Sequence, residues 1–96
     1  MKSTINPMRH VEHPIPVRFG KQATFWVAAS DPVRVFLLDD LNYRLLLAGQ
    51  PIKAAFAHDG QRTLDPTTVR FWRGGVWHFV IANETKEIVT AEWDVI

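Results

Sequence analysis

The 96-residue chain contains no cysteine. Disulfide staples, thiolate zinc sites and a cysteine nucleophile are therefore excluded, and the redox compartment is left open. An excess of one charge is also missing. Eleven Lys and Arg against ten Asp and Glu give a net charge of +1. Binding by bulk attraction to nucleic acid needs a marked basic excess, so the balance argues against nucleic acid as a partner. No apolar run approaches the roughly 18–20 residues of a membrane-spanning helix, which argues against a membrane. Lys2 is the only charge before Arg9, and no apolar stretch follows it. Without a recognisable leader the expected location is the cytoplasm. No P-loop, GxGxxG, Ser–His–Asp spacing or prominent carboxylate pair occurs, so neither a cofactor nor a catalytic residue is expected.

What is present is apolar and aromatic. Hydrophobic residues make up 47% of the chain and charged ones 22%, enough for the core of one domain. Pro7, Pro14 and Pro16 exclude a helix at the start, and Ser3, Thr4 and Asn6 favour turns. We therefore expect an irregular N-terminal arm over 1–14 and a folded domain over 15–96. From Ile15 onward, short β segments alternate with turn residues. Pro16 to Phe19 precedes Gly20-Lys21, and Ala23 to Ala28 precedes Ser30-Asp31-Pro32. Val33 to Leu38 is apolar on both faces, as in a central strand. Ile52 to Ala57 closes at His58-Asp59-Gly60. After Leu64-Asp65-Pro66, Thr67 to Trp72 alternates with Val69 and Phe71 inward. Arg73-Gly74-Gly75 turns the chain into Val76 to Ala82, with Trp77, Phe79 and Ile81 on one side. The last strand alternates most clearly, with Val89, Ala91, Trp93 and Val95 inward.

The stretch between Asp39 and Gly49 admits two readings. Asp39 or Asp40 can cap a helix, Gly49 stands where a C′ glycine belongs, and Pro51 cannot continue one. Leu38, Leu41 and Leu45 would form its buried stripe. A hairpin fits the same residues. About seven short strands with no βαβ rhythm predict an all-β fold. The expected architecture is a single antiparallel β-sandwich, with at most one short helix near 39–48.

Two stretches carry a resemblance. "VRVFLLDDLNYRLLLAG" from Val33 shows an apolar strand, an acidic turn, an Asn-centred step and a glycine. "VRFWRGGVWHFVI" from Val69 shows an apolar strand, a small-residue turn, then Trp-His and an apolar run. Together they resemble a bacterial family of small β-sandwich domains of unknown function, found alone or joined to TIR-type signalling domains. The matching positions are Asp40, Asn42, Tyr43, Gly49, Gly75, Trp77 and His78, within residues 30–82. The N-terminal arm and the scarcity of aromatics after Gly49 depart from the pattern. The resemblance implies a β-sandwich and no catalytic residues.

Among individual residues, Arg70, Trp72, Arg73, Gly74, Gly75 and His78 form the candidate binding surface. Two glycines permit close backbone approach, and Trp and Arg dominate interface energetics. The guanidinium groups, with Arg62 nearby in sequence, suit a carboxylate or phosphate. His78 is expected on the exposed side of its strand, opposite Trp77. Trp26 and Trp72 are candidates for stacking. His10-Val11-Glu12-His13 lacks the helix that gives HExxH its geometry and needs His58 or His78 to complete a metal site, so no metal is expected. The sequence favours a non-catalytic binding or adaptor module that recognises a protein or small anionic ligand, and the resemblance implies a setting in bacterial signalling or defence. The alternatives are a small His-dependent metal-binding enzyme and a self-associating structural subunit, a homo-oligomer.

Overall fold

The computed structural model describes residues 1–18 and 20–96. Phe19, placed by the sequence in the segment from Pro16, lies outside the described residues. The all-β fold is the fold observed: among the described residues, six strands form one curled antiparallel sheet, with a single short helix. The strands are β1 (Lys2–Ile5), β2 (His10–Val17), β3 (Gln22–Asp39), β4 (Phe56–Arg70), β5 (Gly75–Ala82) and β6 (Val89–Val95). Helix α1 (Asp40–Leu47) follows β3 directly. Strand order is β1-β6-β3-β5-β2, and β4 pairs with β3 as well.

Strand β3 organises the sheet. Its first part pairs with β6, from Phe25 opposite Val95 to Ala29 opposite Ala91. Its last part pairs with β5, from Arg34 opposite Ala82 to Asp39 opposite Trp77. Between them lie Ser30, Asp31 and Pro32, expected to end a strand. They instead mark an irregularity at which β3 changes neighbours. The bend lets one hydrogen-bonded sheet supply both facing layers of the core. Phe79 of β5 and Trp93 of β6 thus meet with ring centroids 5.6 Å apart. Around them pack Ile5, Ile15, Phe25, Leu37, Trp77 and Ala91, all buried.

Two more turn signals lie inside β4. Val33 pairs with Gln61 and Val35 with His58, so β4 carries one extra residue around Asp59-Gly60. Gly60 has φ 72°, the left-handed conformation a glycine bulge requires. A second extra residue falls at Asp65-Pro66, between Leu64 opposite Val27 and Thr67 opposite Phe25. Proline lacks the ladder N–H and is tolerated at bulges and edges. The expected strands over 52–57 and 67–72 are therefore replaced by one strand that starts at Phe56.

The expected arm over 1–14 is also strand. Ile5 opposes Val89 in the β1–β6 ladder, and β2 pairs along β5 from His10 opposite Ala82 to Val17 opposite Gly75. Pro14 and Pro16 do exclude helix. On an edge strand, alternate prolines can turn their missing donors outward and leave the ladder intact. Buried Asn83 ties the β1–β2 connection to the rest. Its Nδ2 donates to the carbonyls of Ile5 (2.9 Å) and Glu87 (2.7 Å), and its Oδ1 accepts from Thr85 N–H (2.9 Å).

Helix α1 begins and ends by local chemistry. The Asp39 carboxylate accepts from Asn42 N–H at 2.8 Å. At the other end Gly49 N–H reaches Leu46 O and Gln50 N–H reaches Leu45 O. This is the Schellman pairing, with Gly49 at φ 69°. The expected stripe of Leu38, Leu41 and Leu45 is not the buried one, because Leu41 is 63% exposed. With the cap at Asp39, the helix turns Tyr43 and Leu46 onto the outer face of the sheet. There they cover Phe36, Leu38 and Val80 in a second, smaller core. No helix among the described residues is long and apolar enough to cross a membrane.

Candidate functional site

The β4–β5 turn, Phe71 to Gly74, stands beside the N-terminus of α1. Phe71 is buried and Trp72 is 55% exposed, as alternation predicts. The Trp72 indole stands edge-on to the buried Trp77 indole, with centroids 5.0 Å apart and planes at 86°. Trp77 Nε1–H donates to the Arg73 carbonyl at 3.2 Å, which fixes the turn over the core. The Arg73 guanidinium reaches back across the turn, and its Nη2 donates to Asp39 Oδ2. Gly75 has φ 121°, a conformation a side chain would oppose.

Asp39 is the hinge of this arrangement. Its Oδ1 accepts from both the backbone and the side chain of Asn42, and Asn42 Oδ1 in turn accepts from Lys53 N–H at 2.8 Å. The chain that leaves the helix is thereby held against the cap. Desolvation pushes the Asp39 carboxyl up, but the Asn42 hydrogen bonds and the Arg73 guanidinium outweigh it. The carboxyl is held below its ordinary value.

Two clefts flank the Arg73–Asp39 pair. One, of about 180 Å³, is lined by Asn42, Lys53, Ala54, Ala55 and Trp72 as well as the pair itself and Trp77. The other, of about 250 Å³, opens toward Leu41, Gly74, Gly75 and Val76. A third cleft, of about 270 Å³, lies across Trp72, between Arg70, Phe71 and Gly20. The structure therefore brings together Arg70, Trp72, Arg73, Gly74 and Gly75 of the predicted surface. Arg62 does not belong to it. It lies next to Thr63, which pairs with Ala28, whereas Arg70 pairs with Gln22. Eight residues of strand separate the two arginines by roughly 25 Å. Trp26, opposite Asp94, lines neither of the clefts at Trp72.

His78 is the main correction. Expected on an exposed strand face, it is 7% exposed, because α1 packs over that face of β5 and Glu12 of the neighbouring β2 meets the ring. Its Nδ1 meets Glu12 Oε2, and its Nε2 lies 3.0 Å from Asp40 Oδ1. Tyr43 stacks on the ring at 4.2 Å and bonds His10 Nε2 through its hydroxyl at 3.2 Å. Burial, followed by the nearby Glu12 charge, pushes the Tyr43 phenol up and keeps it protonated. Both nitrogens of His78 are engaged and one ring face is covered, so the ring is a clamp joining β2, β5 and α1.

The histidines of β2 are separated by its pleat. His10 meets Tyr43, while His13 faces Trp93 at 5.4 Å. His58 lies on β4 near Thr63 O. Among the described residues no three His, Asp or Glu side chains converge on a metal position. Sequence reasoning missed Asp39 as a partner of Arg73 and Glu12 and Tyr43 as partners of His78, and it missed Lys53 and Asn83 altogether. Only Asp39 and Asn42 left a local signal, the capping pattern three residues apart. No protein-family model matches the chain, and no curated protein matches it.

Proposed function

We propose that this chain is a small non-catalytic binding module of the cytoplasm that recognises a protein partner through the Trp72–Arg73 end of the sheet. The reading draws on the resemblance to the small bacterial domains found beside TIR-type signalling domains, and places the module in signalling or defence. The observation that carries it is the exposed Trp72 indole, supported edge-on by buried Trp77 and adjoined by the half-exposed Arg73. An aromatic held by a rigid core loses little freedom on binding, and Trp with Arg is the composition of interface anchors. The clefts beside it are smaller than the roughly 300–1,000 Å³ of small-molecule sites, which favours a protein's side chains over a free metabolite.

The experiment compares the tagged chain with Trp72→Ala and Arg73→Ala in cytoplasm of the source cells. The native chain is expected to retain a protein that both variants release, while all three share one melting temperature. Equal retention by the variants overturns the reading, as does a turnover activity that His78→Gln abolishes.

A further inference from the structure

The charges around the turn narrow what this surface takes. Asp39 is engaged by Arg73 and Asn42, and Asp40 is engaged by Arg44 at 3.0 Å and by His78 at 3.0 Å. Among the described residues neither Lys53 nor Arg70 belongs to an ion pair. The acids are spent and the unspent charge is positive, on both sides of Trp72. Three exposed apolar side chains edge the same place: Trp72 at 55%, Val76 at 46% and Leu41 at 63%.

We propose that the occupant is a short segment of a protein partner carrying one acidic side chain flanked by apolar ones; this rests on the binding-module reading above. The carboxylate sits on Arg73 at the ridge between the two clefts, with Lys53 beside it. The apolar neighbours fall on Trp72 to one side and on Val76 and Leu41 to the other. A guanidinium has five N–H donors, and Asp39 engages Arg73 at Nη2 alone. The remaining donors can fork a carboxylate. Asp39 holds the long Arg73 side chain before binding, which lowers the ordering cost. Asp39 is thus a positioning residue for recognition. Each cleft, at about 180 and 250 Å³, has room for a single side chain.

The test is selection of a random phage-displayed heptapeptide library on the intact chain, with Trp72→Ala, Arg73→Ala and Arg73→Lys as comparators. Enriched segments are expected to carry Asp or Glu beside apolar residues. Made synthetically, they should bind about tenfold or more tighter than their Asn or Gln counterparts. Arg73→Lys, which keeps the charge and loses the fork, should weaken them by a similar factor. Enriched segments that depend on Trp72 but carry no acid overturn this inference and leave the binding-module reading standing. Acidic segments indifferent to Arg73→Lys and Arg73→Ala overturn the assignment of the carboxylate to Arg73. A selection that yields no Trp72-dependent segment overturns both.

Discussion

Arg73 donates through Nη2 to the carboxylate of Asp39, 34 residues away in sequence, so the residue that caps α1 also orients a half-exposed guanidinium. The two roles can be separated. Asparagine caps a helix as well as aspartate does, but it carries no charge for Arg73.

The Asp39 carboxyl is held below its ordinary value of 3.8. A group lowered in the fold stabilises fully above its unfolded value, and the contribution is lost as pH falls through the lowered one. Native chain and Asp39→Asn should therefore differ by up to about 1 kcal/mol near neutral pH, the scale of a part-exposed ion pair. The gap should close in strong acid. Denaturant unfolding across pH 2–7 checks this, and a gap that widens toward acid contradicts it. Asp39→Ala, which also loses the cap, should cost about 1 kcal/mol more at neutral pH.

His78 joins three elements through Glu12, Asp40 and Tyr43. Removing one member of a fully buried pair costs about 3–5 kcal/mol. Here the Glu12 side chain is 22% and that of Asp40 46% exposed, so water can reclaim both acids. His78→Phe should therefore cost only about 1–2 kcal/mol. Hydrogen exchange should show faster amides in α1, with those of β6 unchanged. Equal loosening of both elements would show that His78 acts on the whole core.

Asn83 is fully buried and engages the carbonyls of Ile5, Asn6 and Glu87 as well as Thr85. Asn83→Leu leaves several of these groups without their side-chain partner. A cost of about 2–3 kcal/mol is expected, with β1 amides exchanging first. An unchanged denaturation midpoint would refute the role.

Trp93, 5% exposed, packs between Phe79 and His13 and donates from Nε1 to Ser3 Oγ. Trp93→Ala should cost about 3–5 kcal/mol, against under about 1 kcal/mol for Trp72→Ala at the exposed end of the sheet. Chemical unfolding of the two variants side by side is the measurement. Similar losses would mean that Trp72 is part of the core.

Where physics acts over a few residues, the chain could be read directly. Asp39, Asn42 and Gly49 set both ends of α1 through hydrogen bonds spanning three to five residues. Alternation assigned Trp77, Phe79, Ile81, Val89, Ala91 and Trp93 to the core, because the pleat sends successive side chains to opposite faces. It also placed Trp72 outside and Phe71 inside. What the sequence could not settle depended on the neighbouring strand. Ser30-Asp31-Pro32, Asp59-Gly60 and Asp65-Pro66 have turn chemistry, yet a turn residue becomes a bulge when the facing strand continues past it. Pro14 and Pro16 read as an arm because only an edge position makes their missing donors harmless. Alternation alone puts His78 on the exposed face, and the structure buries it. Its burial comes from α1 and β2, which arrive from 38 and 66 residues away to place Asp40 and Glu12 on its two nitrogens. The candidate site divides in the same way. Trp72 and Arg73 were visible as neighbours in the chain, whereas Asp39 and Lys53 reach them only once the helix is docked on the curled sheet.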